Sequence, residues 1–247
     1  MFLCSTTDPY QTIRNPDAAK QKLLNDHARQ MLRDALVAIR DHSTLNVRIL
    51  TRSPLAREDF DIFKSFGKRL LLGTSLPTLN EKLRQLYEPG VPHPKQRLQL
   101  LLDAHKAGIP TYVAVAPVFP EVGYEGMLEV FKAVKAAKPH TIFMEPVNLR
   151  LGIAERIAKN ARKLGVTMDM SIYDTGPKWV EYAIQSLKDA ERAAKATGQL
   201  ERLHLWPDHE ALGSKKVIKS QPDPKAYLTW LQGYWNRVSE WPGKKDR

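Results

Sequence analysis

Apolar residues follow two alternating patterns along most of this chain, and the stretch 84–120 shows both of them clearly. A proline-rich loop, 88–94, comes first, because proline lacks an N–H group and restricts the residue before it. Leucines then recur at helical spacing, which predicts a helix over residues 95–106. After the glycine that ends this helix, residues 111–116 form a continuous β-prone run, typical of a strand covered on both faces. The stretch therefore predicts one helix-to-strand unit of an α/β fold.

Similar runs continue on both sides of this unit. Strands are predicted at residues 2–6, 46–50, 69–73, 111–116, 141–144, 166–170 and 203–206. Helices are predicted at residues 16–41, 57–66, 95–106, 126–137, 151–164, 177–197 and 224–240, with a basic loop at 215–219. Alternation of this kind is typical of right-handed β-α-β crossovers and a parallel sheet.

The alternation predicts an α/β fold with a barrel-like (β/α) domain over residues 1–172 and an α-rich C-terminal extension over residues 173–247. An open doubly wound sheet is the alternative. No glycine-rich phosphate-binding fingerprint follows any predicted strand, which disfavours that alternative. The first predicted strand begins with no cap or loop before it, so we expect a partial barrel that lacks its first strand.

Polar side chains follow several predicted strands at the point where each strand ends. The carboxyl ends of parallel strands carry the functional residues of a barrel. We therefore expect a functional site among the strand-end residues Asp8, Tyr10, Arg52, Ser75, Glu145, Asp169 and Asp174. For any one of them a helix cap or turn residue is the alternative interpretation, and the repetition over successive strands favours a shared site.

The composition narrows the class of protein. The 247 residues carry a formal net charge of +11 and 43% hydrophobic residues, which favours a sizeable core and an anionic partner, nucleic acid first. An ordinary basic soluble protein is the alternative. A single cysteine excludes a disulfide framework. The sequence shows no apolar run of about 20 residues and no secretory signal, so we expect a cytoplasmic protein without a membrane span.

Two further constellations have both a functional and a structural interpretation. His204, Asp208 and His209 are either weak candidates for metal ligands or ordinary strand and turn residues. The last helix carries an aromatic and apolar stripe, which either stacks on single-stranded nucleic acid with the help of nearby lysines or packs on the domain. That stripe consists of Tyr227, Trp230, Leu231, Tyr234 and Val238.

Several of these segments together resemble a known family. The segments are TDPYQ at 7–11, NVRILTRS at 46–53, Ser75, YEPGVPHPKQRLQLLLDAHKAGI at 87–109 and VAVAPVFP at 113–120. They are similar to the radical S-adenosylmethionine proteins of the spore photoproduct lyase type, which include proteins labelled DNA repair photolyases. The resemblance covers residues 1–150 in colinear order, and its most specific element is the proline-rich loop followed by the helix ending in AGI.

The resemblance implies roles for individual residues. Arg52 would hold the carboxylate of S-adenosylmethionine, and Ser75 would lie beside its methionine moiety. Ala116 and Pro117 would border the adenine. Asp8 and Glu145 would complete the cofactor-binding set, and Asp8 and Tyr10 would lie near the cluster and substrate face. Tyr10 and Cys4 are the implied catalytic candidates, with Cys4 either a hydrogen-atom donor or a small buried residue. Glu88 and Arg97 would form a structural or substrate-loop pair.

The chain departs from this family in its cysteines. Such proteins hold a [4Fe-4S] cluster through three cysteines spaced C-x₃-C-x₂-C, whereas this chain contains only Cys4. We therefore expect a missing upstream strand and cluster loop, supplied by the same gene or a separate chain, or else a degenerate relative.

The intact form would use S-adenosylmethionine and the cluster to act on nucleic acid through a 5′-deoxyadenosyl radical. A non-catalytic, basic nucleic-acid-binding scaffold is one alternative hypothesis. The other is a metal-dependent hydrolase that uses Glu145, Asp169 and His209.

Overall fold

One parallel sheet organises the chain. The computed structural model describes residues 1–3, 7–148, 152–174, 176–235 and 241–242. Six strands form the sheet, and every neighbouring pair runs parallel. The strands are β1 (Phe2–Leu3), β2 (Val47–Thr51), β3 (Leu70–Ser75), β4 (Thr111–Val118), β5 (Thr141–Pro146) and β6 (Leu203–Leu205).

Each strand lies beside the strand that precedes it in the chain, in the order β1-β2-β3-β4-β5-β6. A doubly wound sheet instead reverses its strand order at a switch point. The sequential order is the one found in a (β/α) barrel. The predicted α/β class with barrel-like strand order is therefore confirmed, and the doubly wound alternative is wrong.

Helices connect and cover the strands. They are α1 (Ala18–His42), α2 (Phe60–Ser65), α3 (Glu81–Tyr87), α4 (Pro94–Lys106), α5 (Gly123–Val134), α6 (Ile153–Leu164), α7 (Ser171–Asp174), α8 (Gly176–Thr197), α9 (His209–Leu212), α10 (Lys215–Ser220) and α11 (Pro224–Trp235). The start of α4 is fixed by a reciprocal cap, in which the His93 ring accepts a hydrogen bond from the backbone and Gln96 bonds back to the backbone N–H of His93. This cap sets where the proline-rich loop ends. No helix in the described part is long and apolar enough to cross a membrane.

Two groups of buried apolar residues hold the helices on the sheet. One group joins β4 and β5 to α5 and α8 and includes Val113, Phe131 and Leu187. The other joins β2 and β3 to α1 and α2 and includes Ile49 and Phe63. Strand side chains alternate between the two faces of a sheet. The alternate residues of each strand are therefore left for the face that the helices do not cover.

The uncovered face carries aromatic and basic side chains. The Arg48 guanidinium carbon lies 5.9 Å from the centroid of the Tyr112 ring and 5.3 Å from that of Phe143. The rings of Tyr112 and Phe143 meet edge to face, with their centroids 5.9 Å apart. Trp241, near the C-terminus, adds a third ring 5.4 Å from Arg48. These contacts link strands that are separated in the chain.

The structure differs from the sequence-based prediction in several elements, among them the following three. Residues 166–170 are not a strand, because they pair with no neighbour and are largely exposed. The predicted basic loop at 215–219 is the helix α10, capped by the Ser214 hydroxyl. The helix α3 was not predicted, and it begins where the side chain of Asn80 accepts from the N–H groups of Lys82 and Leu83. The predictions for residues 4–6 and 236–240 lie outside the described residues.

The predicted division at residue 172 stays a prediction. Strand β6 pairs with β5, so a segment beyond residue 172 extends the sheet. Helix α8 contributes Ala183, Leu187 and Ala190 to the same buried group as β4 and β5. The extension and the barrel-like part thus share one sheet and one core.

Gly73 provides a test of this packing. A Cβ atom at Gly73 would lie 2.3 Å from the Tyr112 ring, too close for the two to coexist. We expect Gly73→Ala to lower the free energy of unfolding in urea by roughly 1–3 kcal/mol through overpacking. Shortening the ring residue in the same protein, as Tyr112→Leu, should recover part of that loss. A Gly73→Ala protein as stable as the parent would contradict the close approach.

Candidate functional site

A cleft of about 350 Å³ lies at the carboxyl ends of the strands. This is the edge of a parallel barrel at which active sites form. The cleft volume falls within the roughly 300–1,000 Å³ of small-molecule pockets. Its lining residues are Thr7, Asp8, Leu50, Thr51, Arg52, Ser75, Ala114, Ala116, Pro117, Glu145, Pro146, Val147, Asn148 and Ile153.

All six residues that the family resemblance assigns to the cofactor line this one cleft. They are Asp8, Arg52, Ser75, Ala116, Pro117 and Glu145. They come from the segment after β1 and from the ends of β2, β3, β4 and β5, over a span of more than half the chain. Sequential parallel strands bring them together, because the carboxyl ends of such strands meet at one edge. Their individual roles stay predictions.

Asp8 fixes the β2 end of the cleft. Its Oδ1 accepts hydrogen bonds from the Thr51 hydroxyl at 2.6 Å and from the backbone N–H of Tyr10 at 2.9 Å. Its Oδ2 accepts from the backbone N–H of Arg52 at 2.7 Å. The carboxylate is thus occupied by three donors from the protein, and it holds the backbone of Arg52 in place.

The Arg52 side chain is held by a carboxylate that lies deeper in the protein. Arg52 Nε donates to Glu88 Oε1 at 2.9 Å, and the other oxygen, Oε2, accepts from Arg97 at 2.9 Å. Arg97 is fully buried and also donates to the backbone carbonyl of Ser75 at 2.9 Å. Glu88 therefore bridges a buried arginine and an arginine at the cleft, and both are tied to strand ends that line it.

The Glu88–Arg97 pair is a buried charge pair. Burial lowers the pKa of the Arg97 guanidinium, and the Glu88 carboxylate partly offsets this effect. Neither residue lines the cleft, so in this conformation the pair positions Arg52. The sequence allowed either a structural or a substrate-loop role, and this geometry favours the structural one.

The β4 side of the cleft is shaped by a bulge. Between Val115 and Val118, β4 contains one more residue than the paired stretch of β5. Ala116 and Pro117 lie in this bulge, and the Ser75 hydroxyl donates to the Ala116 carbonyl at 2.6 Å. Ala116 and Pro117 both line the cleft, and they give it a small apolar surface.

The wall after β5 is held by a helix far along the chain. The backbone N–H of Val147 contacts the Tyr182 hydroxyl at 3.0 Å, and the Val147 carbonyl accepts from Trp179 Nε1 at 2.7 Å. Both aromatic residues are on α8. These positioning residues could not be predicted from the sequence, because nothing in the local pattern links α8 to the end of β5. Thr51 was also missed, although its place beside Arg52 at a strand end was a usable signal.

Of the two residues predicted to be catalytic, Tyr10 does not line this cleft. Tyr10 is buried and donates its hydroxyl to Asp59 Oδ2 at 2.7 Å, and its ring packs edge to face on Phe63. Burial, followed by the bond to Asp59, raises the pKa of Tyr10 well above its usual value. Tyr10 thus lies in the core beside the cleft. Cys4 lies outside the described residues.

The proposed metal ligands do not form a site in the described part of the chain. No group of three or more His, Cys, Asp or Glu side chains able to hold a metal occurs there. Asp208 instead caps α9 by accepting from the backbone N–H of Ala211 at 2.9 Å, and His204 packs against Phe143. Asp169 accepts from the backbone N–H of Ser171 at 2.8 Å in an exposed turn. Asp169 is thus engaged in a turn, and the hydrolase hypothesis, which also uses Glu145 and His209, stays a hypothesis.

The aromatic stripe of the last helix packs on the domain. Tyr227 and Leu231 are buried, and the Tyr227 hydroxyl donates to the Leu212 carbonyl at 3.0 Å. Trp230 Nε1 donates to Glu191 Oε2 at 2.9 Å on α8. The docking interpretation is confirmed for these residues, and Val238 lies outside the described residues.

Solved structures share the fold of this chain. A point mutant of spore photoproduct lyase matches with a TM-score of 0.54 at 13% identity, over 73% of this chain and 56% of that chain. Spore photoproduct lyase complexed with dinucleoside spore photoproduct matches with a TM-score of 0.53 at 14% identity, with the same coverage. A further mutant with bound AdoMet, which is S-adenosylmethionine, and dinucleoside spore photoproduct gives the same values. At this identity the likeness establishes the fold alone.

Sequence relatives are partial matches. This chain is 33% identical over 120 residues to the uncharacterized protein ORF301 of Acidianus two-tailed virus, covering 49% of this chain and 35% of that protein. It is 29% identical over 104 residues to the uncharacterized protein MJ0683 of Methanocaldococcus jannaschii, covering 41% and 38%. The chain therefore matches little more than a third of the length of these relatives. No family model matches the chain.

The bridge through Glu88 is testable by stability measurements. We expect Glu88→Gln to lower the free energy of unfolding by about 3–5 kcal/mol, because it leaves the buried charge of Arg97 without its partner. Replacing both partners, as Glu88→Gln with Arg97→Met, should cost less than the single change. Urea denaturation measures both.

The matched control for this experiment is Glu58→Gln. Glu58 pairs with Arg29 at the surface, where the side chains are 46% and 34% exposed. Such an exposed pair contributes at most about 1 kcal/mol. If Glu88→Gln and Glu58→Gln lower the free energy of unfolding equally, the buried bridge contributes no more to stability than an exposed ion pair.

Proposed function

We propose that this chain is the S-adenosylmethionine-binding part of a radical S-adenosylmethionine enzyme related to spore photoproduct lyase, and that the complete enzyme acts on nucleic acid. The observation that carries the proposal is the single cleft lined by all six residues that the family resemblance assigns to the cofactor. The fold shared with spore photoproduct lyase supports it.

Arg52 is suited to bind the carboxylate of the cofactor. Its Nε donates a hydrogen bond to Glu88. Within the described residues, the two terminal nitrogens of its guanidinium have no hydrogen-bond partner. The side chain is 37% exposed, and the residue lines the cleft. A guanidinium held in a fixed orientation can donate two parallel hydrogen bonds to a carboxylate.

The other lining residues fit the remaining parts of the same ligand. Glu145 offers a carboxylate on the β5 side, which attracts the positively charged amino and sulfonium groups of S-adenosylmethionine. The Ala116 and Pro117 bulge provides a small apolar surface for the adenine. Asp8 positions Arg52 by accepting a hydrogen bond from its backbone N–H. The chain's own task is thus to bind and orient the cofactor.

The cluster does not fit this chain by itself. A [4Fe-4S] cluster in this family needs three thiolates, and the chain has one cysteine. We therefore propose that the thiolates come from a further segment, on the same polypeptide or on a separate chain.

Two observations support nucleic acid as the substrate class. The net charge of +11 favours a polyanionic partner. A matching lyase structure contains a dinucleoside spore photoproduct. The single cysteine, however, equally favours a second candidate function, that of a non-catalytic nucleic-acid-binding scaffold built on the same fold.

The cofactor proposal predicts a specific loss of binding. We expect Arg52→Ala to weaken the binding of S-adenosylmethionine by about 10- to 100-fold, since a charge-assisted bond to a carboxylate contributes roughly 1.5–3 kcal/mol. Titration calorimetry on the full chain measures this effect. Arg57→Ala is the matched control, because Arg57 is also paired with a carboxylate, that of Asp103 at 2.6 Å, but does not line the cleft. Unchanged affinity in Arg52→Ala would remove Arg52 from the site.

The substrate proposal predicts salt-dependent binding of nucleic acid. We expect the affinity for a single-stranded oligonucleotide to fall as salt rises, because lysine and arginine contacts release counterions from the phosphates. Fluorescence anisotropy at several salt concentrations gives the slope. A scaffold would bind the oligonucleotide without binding S-adenosylmethionine, so the two titrations together separate the candidate functions. Absence of oligonucleotide binding at low salt would argue for a different substrate class.

A further inference from the structure

A second depression lies at the opposite end of the sheet from the cleft. Its volume is about 400 Å³, and it is lined by His105, Ile109, Pro110, Thr111, Lys138, His140, Arg202 and Pro242. Thr111 is the first residue of β4, and His140 and Arg202 lie just before β5 and β6. The depression thus sits at the amino ends of these strands. An eight-residue strand such as β4 separates the two ends by roughly 25 Å.

The described residues that line this depression are basic and include no carboxylate. Lys138 and Arg202 are cationic, and His105 and His140 add two imidazole rings. Within the described part of the chain, the side chains of Lys138 and His105 have no hydrogen bond or ion pair. Arg202 uses one terminal nitrogen to donate to the Pro139 carbonyl at 2.6 Å, which anchors the side chain and leaves further N–H groups for a ligand.

This arrangement contrasts with the other arginines described above. Arg52, Arg57 and Arg97 each donate to a carboxylate at 2.9 Å or less. Cations brought together in a concave site without an acidic partner repel one another. An anionic ligand would relieve that repulsion.

The backbone around Lys138 is held in an uncommon conformation. Lys138 has φ of 43°, in the left-handed region that favours glycine, and it is the one non-glycine residue with positive φ in the described chain. The backbone N–H of Lys138 donates to the Lys135 carbonyl at 3.1 Å, and that of His140 donates to the Thr111 carbonyl at 2.7 Å. The turn is therefore fixed at both ends, and it presents the Lys138 side chain at the depression despite the local backbone cost.

We propose that this depression is a binding site for a phosphate group. Phosphate is an oxyanion that accepts several N–H bonds at once, and a planar guanidinium beside an ammonium group suits it. The ligand is either a free phosphate or a phosphate in the backbone of a nucleic acid, since both offer the same oxyanion. The site is separate from the cleft at the carboxyl ends of the strands, so the inference does not depend on the proposed cofactor.

Lys138→Gly is the decisive variant. Glycine removes the charge and suits the left-handed backbone, so this protein should fold at least as stably as the parent. Inorganic phosphate is titrated into the full chain by calorimetry, with thermal denaturation as the check on folding. We expect saturable binding by the parent and about tenfold weaker binding by Lys138→Gly, from the loss of one charge-assisted contact. Lys138→Arg should retain most of the affinity.

Lys163→Ala controls for net charge. Lys163 is an exposed residue on α6, outside this depression, and its removal changes the charge of the chain by the same amount. We expect unchanged phosphate affinity for this variant. Absence of saturable binding by the parent, equal weakening in both variants, or unchanged affinity in a folded Lys138→Gly protein would each overturn the proposal.

A competition experiment separates the two sources of phosphate. A single-stranded oligonucleotide is added to the parent and to Lys138→Gly before the phosphate titration. If the oligonucleotide weakens phosphate binding by the parent but not by Lys138→Gly, the ligand is a backbone phosphate. If the oligonucleotide leaves phosphate binding by the parent unchanged, the ligand is free phosphate. If the parent and Lys138→Gly bind the oligonucleotide equally well, the oligonucleotide binds at another surface. Failure of the phosphate proposal can therefore be told apart from failure of the proposed function.

Discussion

The arrangement of the cleft depends on one buried carboxylate. Glu88 accepts from Arg97, whose side chain is fully enclosed, and from Arg52, which reaches the cleft. Charges inside a protein are stable only when they are paired and hydrogen-bonded, so the position of each arginine is set by the other through Glu88. Since Arg97 also binds the Ser75 carbonyl, the loop before α4 and the ends of β2 and β3 form one connected unit.

The parallel sheet gives the chain two chemically different ends. At the carboxyl ends, a bulge in β4 and acidic and basic side chains from neighbouring strands make a cleft of mixed polarity. At the amino ends, the turns before β5 and β6 expose cations that have no acidic partner among the described residues. A small zwitterionic ligand suits the first end and a simple oxyanion suits the second. The two proposed sites are far enough apart for both ligands to bind at once.

Much of the fold could be predicted from local pattern. The strands from 46 to 146 and the helix at 95–106 are found close to their predicted places, because buried strands and amphipathic helices leave distinct hydrophobic periods in the sequence. The prediction of a strand at 166–170 was wrong, because the same kind of pattern is less informative in a short segment. Short apolar runs are ambiguous, and this one follows a left-handed glycine, Gly165, and finds no neighbouring strand to pair with.

The sequence by itself determined the α/β alternation, the charge, the shortage of thiolates and the strand-end residues, since each of these is a property of local order or composition. Only the tertiary structure decided that Tyr10 is buried on Asp59, that α8 supports the wall after β5, and that His105 and Arg202 meet at one depression. Such contacts join residues dozens of positions apart. They follow from how the strands are ordered and how the helices pack, and no local spacing encodes them.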